Sequence, residues 1–217
     1  MHNINTSSMN KYDKLVERSV INIDPKHIAN IIGLYHKDRV VCIKKSIWYK
    51  FIDDKSKWCS ISEDDLNILD DNITEIYQYY AKKYIELRGS DPESGEYYKY
   101  YLNCYKIIVK LRESPFIDKV MKECRKIFYD VEFIHKLNTN LNLVGMSNCI
   151  IDLQYPNKNG TNIMFRKGIP EDYMSNSIGY GLPIDTCKLP ISLDDVIKEM
   201  SNGIIKEIFN DELNYQL

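Results

Sequence analysis

Lys119, Lys122 and Lys126 recur at i, i+3 and i+7, a spacing that places them on one face of a helix. Ammonium groups in such a stripe suit phosphate oxygens, and Arg125 stands beside them. From Tyr101 to Lys126 there are seven Lys or Arg against three acids, a local balance of +4 (7 − 3) in a chain of net charge −2. A solvated polar face, which every amphipathic helix carries, would look the same. A second charged group, Arg166, Lys167, Glu171 and Asp172, brackets a Gly168-x-Pro170 turn. Such a loop either presents its side chains to a neighbour or uses Glu171 and Asp172 to cap local backbone amides. The run Tyr97-Tyr98-Lys99-Tyr100-Tyr101 mixes bases with aromatic planes, as stacking platforms for single strands do. Consecutive helical residues point around the whole cylinder, however, and Tyr97, Tyr101 and Tyr105 fit a buried stripe better. Trp48-Tyr49 and Trp58 flank a turn and are expected to meet across a hairpin as a small aromatic core.

Other chemistries find no support in the residue pattern. There is no Gly-x-Ser-x-Gly elbow and no His-Glu-x-x-His helix. The four histidines, 2, 27, 36 and 135, lack metal-ligand spacing, and His135 reads as a packed or surface residue on a short helix. Six cysteines, of which the nearest two are Cys42 and Cys59, contain no Cys-x-x-Cys clip; reduced thiols are expected rather than disulfides or structural zinc. No catalytic residue, metal or cofactor is therefore expected.

The elements that must hold these side chains follow from periodicity. Residues 1–22 are polar and read as a flexible extension. Asp24-Pro25 forms an N-cap and first helical residue ahead of Ile28, Ile31, Ile32 and Tyr35. Val40–Ile43, Ile47–Phe51 and the stretch around Trp58 read as a small antiparallel meander. A Ser60-x-x-Glu63 capping box predicts a helix over 62–88, with helices over 96–113 and 115–128 after it. In the last of these, Ile117, Val120, Met121, Cys124, Ile127 and Phe128 line the apolar face. A short helix near Val131–Leu137 precedes strands at Cys149–Leu153 and Ile163–Arg166, separated by a turn at Pro156–Gly160. Ser192 then caps a terminal helix through Val196, Ile197, Met200 and Ile204. This order predicts an α+β fold: a central helical bundle with small antiparallel sheets from the N-terminal and C-terminal parts. A length of 217 residues is enough for a sizeable core, and no apolar run is long enough to span a membrane. The polar first residues carry no secretory signal, so a non-secreted chain is expected.

The stretch Leu141–Pro183, LNLVGMSNCIIDLQYPNKNGTNIMFRKGIPEDYMSNSIGYGLP, resembles the linker domain of the helicase-primases of poxviruses and other large DNA viruses. The residues carrying the resemblance are Asn148, Asp152, Phe165, Arg166, Gly168, Pro170, Glu171, Asp172 and Tyr173. It extends back to Trp48, Tyr49, Trp58 and the Ser114-Pro115-Phe116 helix, covering most of residues 24–200. One departure is Asn148-Cys149, where the family has Asn-Gly before its apolar strand. On this resemblance residues 23–190 are a linker-like domain. Residues 191–217 are a terminal helix that in the family leads into a superfamily-three helicase ATPase.

That ATPase needs a G-x-x-x-x-G-K-[ST] loop, yet none of the nine glycines is followed by Lys. The family's primase uses a paired Asp-x-Asp for two metals, and no two aspartates here are two apart. Asp64-Asp65 reads as first-turn helix chemistry, and Glu63-x-Asp65 as a weak metal candidate. The resemblance thus implies a non-catalytic module of viral DNA replication in the host cytoplasm. Its partners would be a helicase ATPase, a primase or a polymerase-associated factor, with DNA as a second contact and no membrane. A stand-alone DNA-binding accessory protein, a remnant of a split helicase-primase gene and a metal-dependent nuclease are the alternatives. The expected nucleic-acid contacts are Lys119, Lys122, Arg125, Lys126, Arg166 and Lys167.

Overall fold

A computed structural model describes residues 10–44, 47–66, 68, 71–88, 95–157, 160–182 and 184–198. Its helices are α1 (Asp13–Ile21), α2 (Pro25–Tyr35), α3 (Asp71–Arg88), α4 (Glu96–Lys110), α5 (Ser114–Ile127) and the short α6 (Phe133–Lys136). Strands β1 (Val40–Lys44), β2 (Ile47–Ile52) and β3 (Lys57–Ile61) form one sheet in chain order. β4 (Leu143–Gly145), β5 (Ile150–Asn157), β6 (Gly160–Arg166) and β7 (Ile191–Ser192) form another in the order β4-β5-β6-β7. The fold is α+β: α1 and α2 precede the first small antiparallel sheet, and α3 to α6 lie in the chain between it and the second. Two compact units result: residues 1–48 with 61–131, and residues 49–60 with 132–217.

The first unit is helical because its apolar residues repeat at helical spacing and must find one another. α2 buries Ile28, Ala29, Ile31 and Ile32; α3 buries Ile73, Ile76, Tyr77, Tyr80, Ala81 and Tyr84. α5 adds Phe116, Val120, Met121 and Cys124 to the same core. The carboxylate of Asp24 accepts the Lys26 N–H at 2.9 Å, which starts α2 as an N-cap should. Gly33 marks a close approach of α2 and α5, since a Cβ there would stand 2.7 Å from the Ile127 side chain. Buried polar groups are paired: Tyr77 donates to Ser19 at 3.0 Å, and the Asn103 amide donates to the Val20 carbonyl at 2.7 Å. Burial pushes the Cys104 and Cys124 thiols up to about 12.

In the second unit β5 and β6 pair antiparallel with Ile151 opposite Phe165 and Asp152 opposite Met164, and a register shift follows between Asp152 and Tyr155. One small core collects Met146, Cys149, Phe165, Ile184 and Val196. An aromatic group surrounds Phe133: Trp58 at 4.7 Å, Tyr49 at 5.5 Å and Tyr173 at 6.0 Å between ring centroids.

Several expectations change. Residues 13–21 are not a flexible extension but a helix, α1, whose Val16 and Val20 are fully buried beside Tyr12. The polar residues between them had masked an amphipathic i, i+4, i+8 pattern. The helix expected over 62–88 begins at Asp71: residues 63–65 form a turn in which Ser62, not Ser60, receives the Asp65 N–H at 3.2 Å. Ser60 lies in β3. The buried stripe of α4 is Tyr100, Asn103, Cys104, Ile107 and Ile108, which leaves Tyr97 and Tyr105 exposed. Trp48 and Trp58 do not pair. Trp48 packs on Phe128, while Phe51 and Phe133 pack on Trp58. Strand alternation explains the split, because Trp48 and Tyr49 must point to opposite faces of β2. Ser192 does cap helical residues 193–198, accepting the Asp195 N–H at 3.2 Å. Residues 1–9 and 89–94, residues 158–159 of the expected Pro156–Gly160 turn, and the expected helix beyond 198 lie outside the described residues.

Candidate functional site

The lysine stripe owes its position to the residues that face away from it. Phe116, Val120, Met121 and Cys124 fix which side of α5 is buried. Lys119, Lys122 and Lys126 then emerge on the opposite, exposed side. There they line a cleft of about 500 Å³ together with Asp24, Pro25, Lys26 and Glu123. Four ammonium groups thus meet two carboxylates, and both carboxylates have local duties. Asp24 caps α2, and the half-buried Glu123 pairs with the exposed Lys126 at 2.6 Å. Among the described residues no ion pair engages Lys26, Lys119 or Lys122. The cleft also lies at the first turn of α2, where the helix dipole favours negative charge. An anionic, polyvalent ligand of modest shape demands fits this arrangement: a chain of phosphates.

Arg125 belongs to a different construction. Its Nε donates to Glu63 Oε2 at 2.8 Å and its Nη2 donates to the other carboxylate oxygen. The Trp48 indole N–H donates to the same carboxylate at 3.0 Å. The hydrogen bond with Glu63 pushes the Arg125 pKa further up. Its sequence neighbours Cys124 and Lys126 are buried core and exposed stripe, respectively, so a helical position between the two suits an internal brace.

Arg166 is held still more tightly. Its Nε donates to Asp152 at 3.0 Å, and its two terminal nitrogens donate to both oxygens of Asp172 at 2.8 and 2.7 Å. Asp172 also accepts the Ile169 N–H at 2.8 Å, so it caps the Pro170–Asp172 turn as the amide-capping alternative anticipated. The side chains of Arg166, Asp152 and Asp172 are only 15%, 14% and 7% exposed. Lys167, by contrast, is exposed.

The remaining signature residues brace that knot. The Trp58 indole N–H donates to the Pro170 carbonyl at 2.9 Å. Gly168 passes so close to Ser56 that a Cβ would come within 2.3 Å of the Ser56 carbonyl oxygen. Tyr173 adopts a left-handed conformation (φ 51°) and sits against Phe133. The Asn148 amide clasps Leu182, donating to its carbonyl at 2.8 Å and accepting its N–H at 3.0 Å. Glu171 is exposed. This set is a folding constellation, whereas the lysine cleft is an accessible charged surface.

Lys26 was not singled out from the sequence. It lies far from the stripe along the chain and joins it only because α2 packs on α5. Among the described residues no group of three or more His, Cys, Asp or Glu is arranged to hold a metal ion. No described helix is long and apolar enough to cross a membrane.

The family described as "D5 N terminal like" matches residues 29–208. A protein of Acanthamoeba polyphaga mimivirus, provisionally named helicase L207/L206, is 31% identical over 176 residues. The match takes in 78% of this chain and 17% of that relative.

Proposed function

The chain belongs to the D5 N-terminal-like family of helicase-primase-related domains, and on that premise we propose that it is a non-catalytic, strand-holding module of viral DNA replication. In this reading it supports the helicase and primase parts of such a machine through protein contacts. It guides single-stranded DNA by its phosphates, while ATP hydrolysis and primer synthesis reside in other modules. The cleft formed by Lys26, Lys119, Lys122 and Lys126 is the observation that carries the DNA part of this reading.

The physical case rests on accessibility. A phosphate entering the cleft displaces counterions rather than breaking an internal ion pair, except at Lys126. There it competes with Glu123 for an exposed lysine, a pair of the kind that contributes about 0–1 kcal/mol. Point-charge contacts of this kind carry no base information. Binding is therefore weak, indifferent to sequence and steeply salt-dependent.

A salt titration of the chain with a labelled single-stranded oligonucleotide tests this. Each phosphate contact contributes about 0.7 to the slope of log affinity against log salt, so three or four lysines give a slope of roughly −2 to −3. Replacing Lys119, Lys122 and Lys126 by Gln should flatten the slope by about 2. A variant with the parental slope would sink the proposal. In the same preparation ATP should release no phosphate above a buffer blank, and template should yield no primers.

A further inference from the structure

The outer face of α4 is the other exposed surface with a chemical character of its own. Its buried stripe leaves half-buried Tyr98 and exposed Leu102, Tyr105 and Val109 on the opposite side, at i, i+4, i+7 and i+11, with Tyr101 at their edge, half-buried against the core. Tyr98 and Tyr101 are stacked at 5.9 Å with 22° between their planes, and Tyr101 meets Tyr105 edge-on at 5.1 Å. The Arg88 guanidinium lies 5.3 Å over the Tyr98 ring. Tyr105 is 48% exposed and Val109 59% exposed.

Charge decides what such a row would meet. Between Tyr97 and Arg112 the chain carries Lys99, Lys106, Lys110 and Arg112 and no acid at all. Lys99 and Lys106 are exposed and lie along one flank of the aromatic row. A polyanion with flat apolar faces complements both features at once.

We propose that this face of α4 is a stacking platform for the bases of single-stranded nucleic acid, with Tyr105 as its outermost ring and Lys99 and Lys106 at the phosphates. The inference rests on the strand-holding reading above but uses different residues and a different interaction. Stacking is tolerant of sequence because every base has a π face. The lysine cleft grips the backbone, whereas this row grips bases.

Fluorescence anisotropy with a thymidine oligonucleotide and with an abasic strand of equal length separates the two. The full chain, Tyr105→Ala, Tyr105→Phe, Tyr105→Leu and the Lys119/Lys122/Lys126→Gln variant would be compared. Tyr105→Ala and Tyr105→Leu should weaken thymidine-strand binding by roughly tenfold, with Tyr105→Phe close to the parent. Abasic-strand binding should be unchanged by all three, whereas the triple lysine variant should lose affinity for both strands. The leucine variant keeps apolar bulk, so a lower melting temperature of the alanine variant leaves the test intact. Parental thymidine-strand affinity in Tyr105→Leu would overturn the platform and leave the cleft standing. So would a parent chain that binds abasic and thymidine strands equally. A parent that binds neither strand would overturn both readings. If Tyr105→Leu instead turns a sedimenting dimer into a monomer without changing strand affinity, the face belongs to a second copy of the chain and the platform is wrong.

Discussion

The lysine cleft on α5 and the Arg166 knot beside β6 are both built around cations, yet they treat charge in opposite ways. In the cleft the ammonium groups stand in solvent, and among the described residues only Lys126 has a carboxylate partner, the half-buried Glu123. In the knot one guanidinium is shared between two carboxylates whose side chains are almost wholly covered. Solvent-exposed lysines contribute little to folding and remain available to a ligand. A covered, hydrogen-bonded guanidinium contributes to folding, and removing it strands its partners. The difference shows that local charge in a sequence does not identify a binding site. What identifies it is whether the fold has already supplied the counter-charge.

The largest effect should come from breaking the knot. Arg166→Met leaves Asp152 and Asp172 facing each other without a cation, and should cost about 3–5 kcal/mol in a urea or thermal unfolding experiment. Lys167→Ala, one residue on and exposed, should stay within about 0.5 kcal/mol. Equal effects of the two would mean that Arg166 is no more a structural brace than its exposed neighbour. Of comparable size is Met121→Asp, which places a carboxylate on the buried face of α5 directly beside the exposed stripe. A melting temperature unmoved by that substitution would mean that the faces of α5 are assigned the wrong way round.

Smaller effects sharpen the other side of the comparison. Converting Lys119, Lys122 and Lys126 to Gln should change stability by less than about 1 kcal/mol while it flattens the salt slope of strand binding by about 2. Asp24→Ala removes the α2 cap and should cost about 1 kcal/mol, measurable by denaturant titration. It should also strengthen strand binding slightly, because one of the two carboxylates leaves the cleft.

The Asp13–Lys83 pair, half-exposed, is an intermediate case. Burial would raise the Asp13 pKa, but the hydrogen bonds from Lys83 and Tyr80 outweigh it and hold the carboxyl below its ordinary value. A depressed folded-state pKa adds stability above the unfolded value of about 4, and that contribution is lost as pH falls through the folded value. The melting temperature of the parent should therefore exceed that of Asp13→Asn at neutral pH. The gap should narrow as pH drops below about 4, and a gap independent of pH would exclude this pair as its source.

Much of this architecture was legible as periodicity. The start of α2 followed from Asp24-Pro25 and that of α5, to within a residue, from Ser114-Pro115, although Glu113 rather than Ser114 is the N-cap; the β5–β6 pair followed from two apolar runs around a turn. Errors arose where a local pattern competed with one that depends on distant residues. Ser60-x-x-Glu63 looked like a capping box, but Glu63 is engaged by Trp48 and Arg125, and the chain turns there instead of entering a helix. Tyr97, Tyr101 and Tyr105 share a helical face, yet Cys104 and Ile107 determine which face of α4 is buried.

The sequence by itself determined most element types (α1 and the start of α3 excepted), the side of α5 on which its lysines emerge, and the family resemblance carried by Asn148, Asp152, Arg166 and Tyr173. Those features depend on residues within a turn or two of one another, where 3.6-residue and two-residue periods act directly. Only the tertiary structure decided that Lys26 joins the lysine cleft, that Arg125 and Arg166 are internal braces, and that Tyr105 faces outward while Tyr100 is buried. Each of these depends on which distant residue fills the neighbouring space: Glu63 for Arg125, Asp152 and Asp172 for Arg166, α2 for the cleft. A cation is the same residue in the sequence whether its partner is water or a carboxylate, and packing alone assigns the partner.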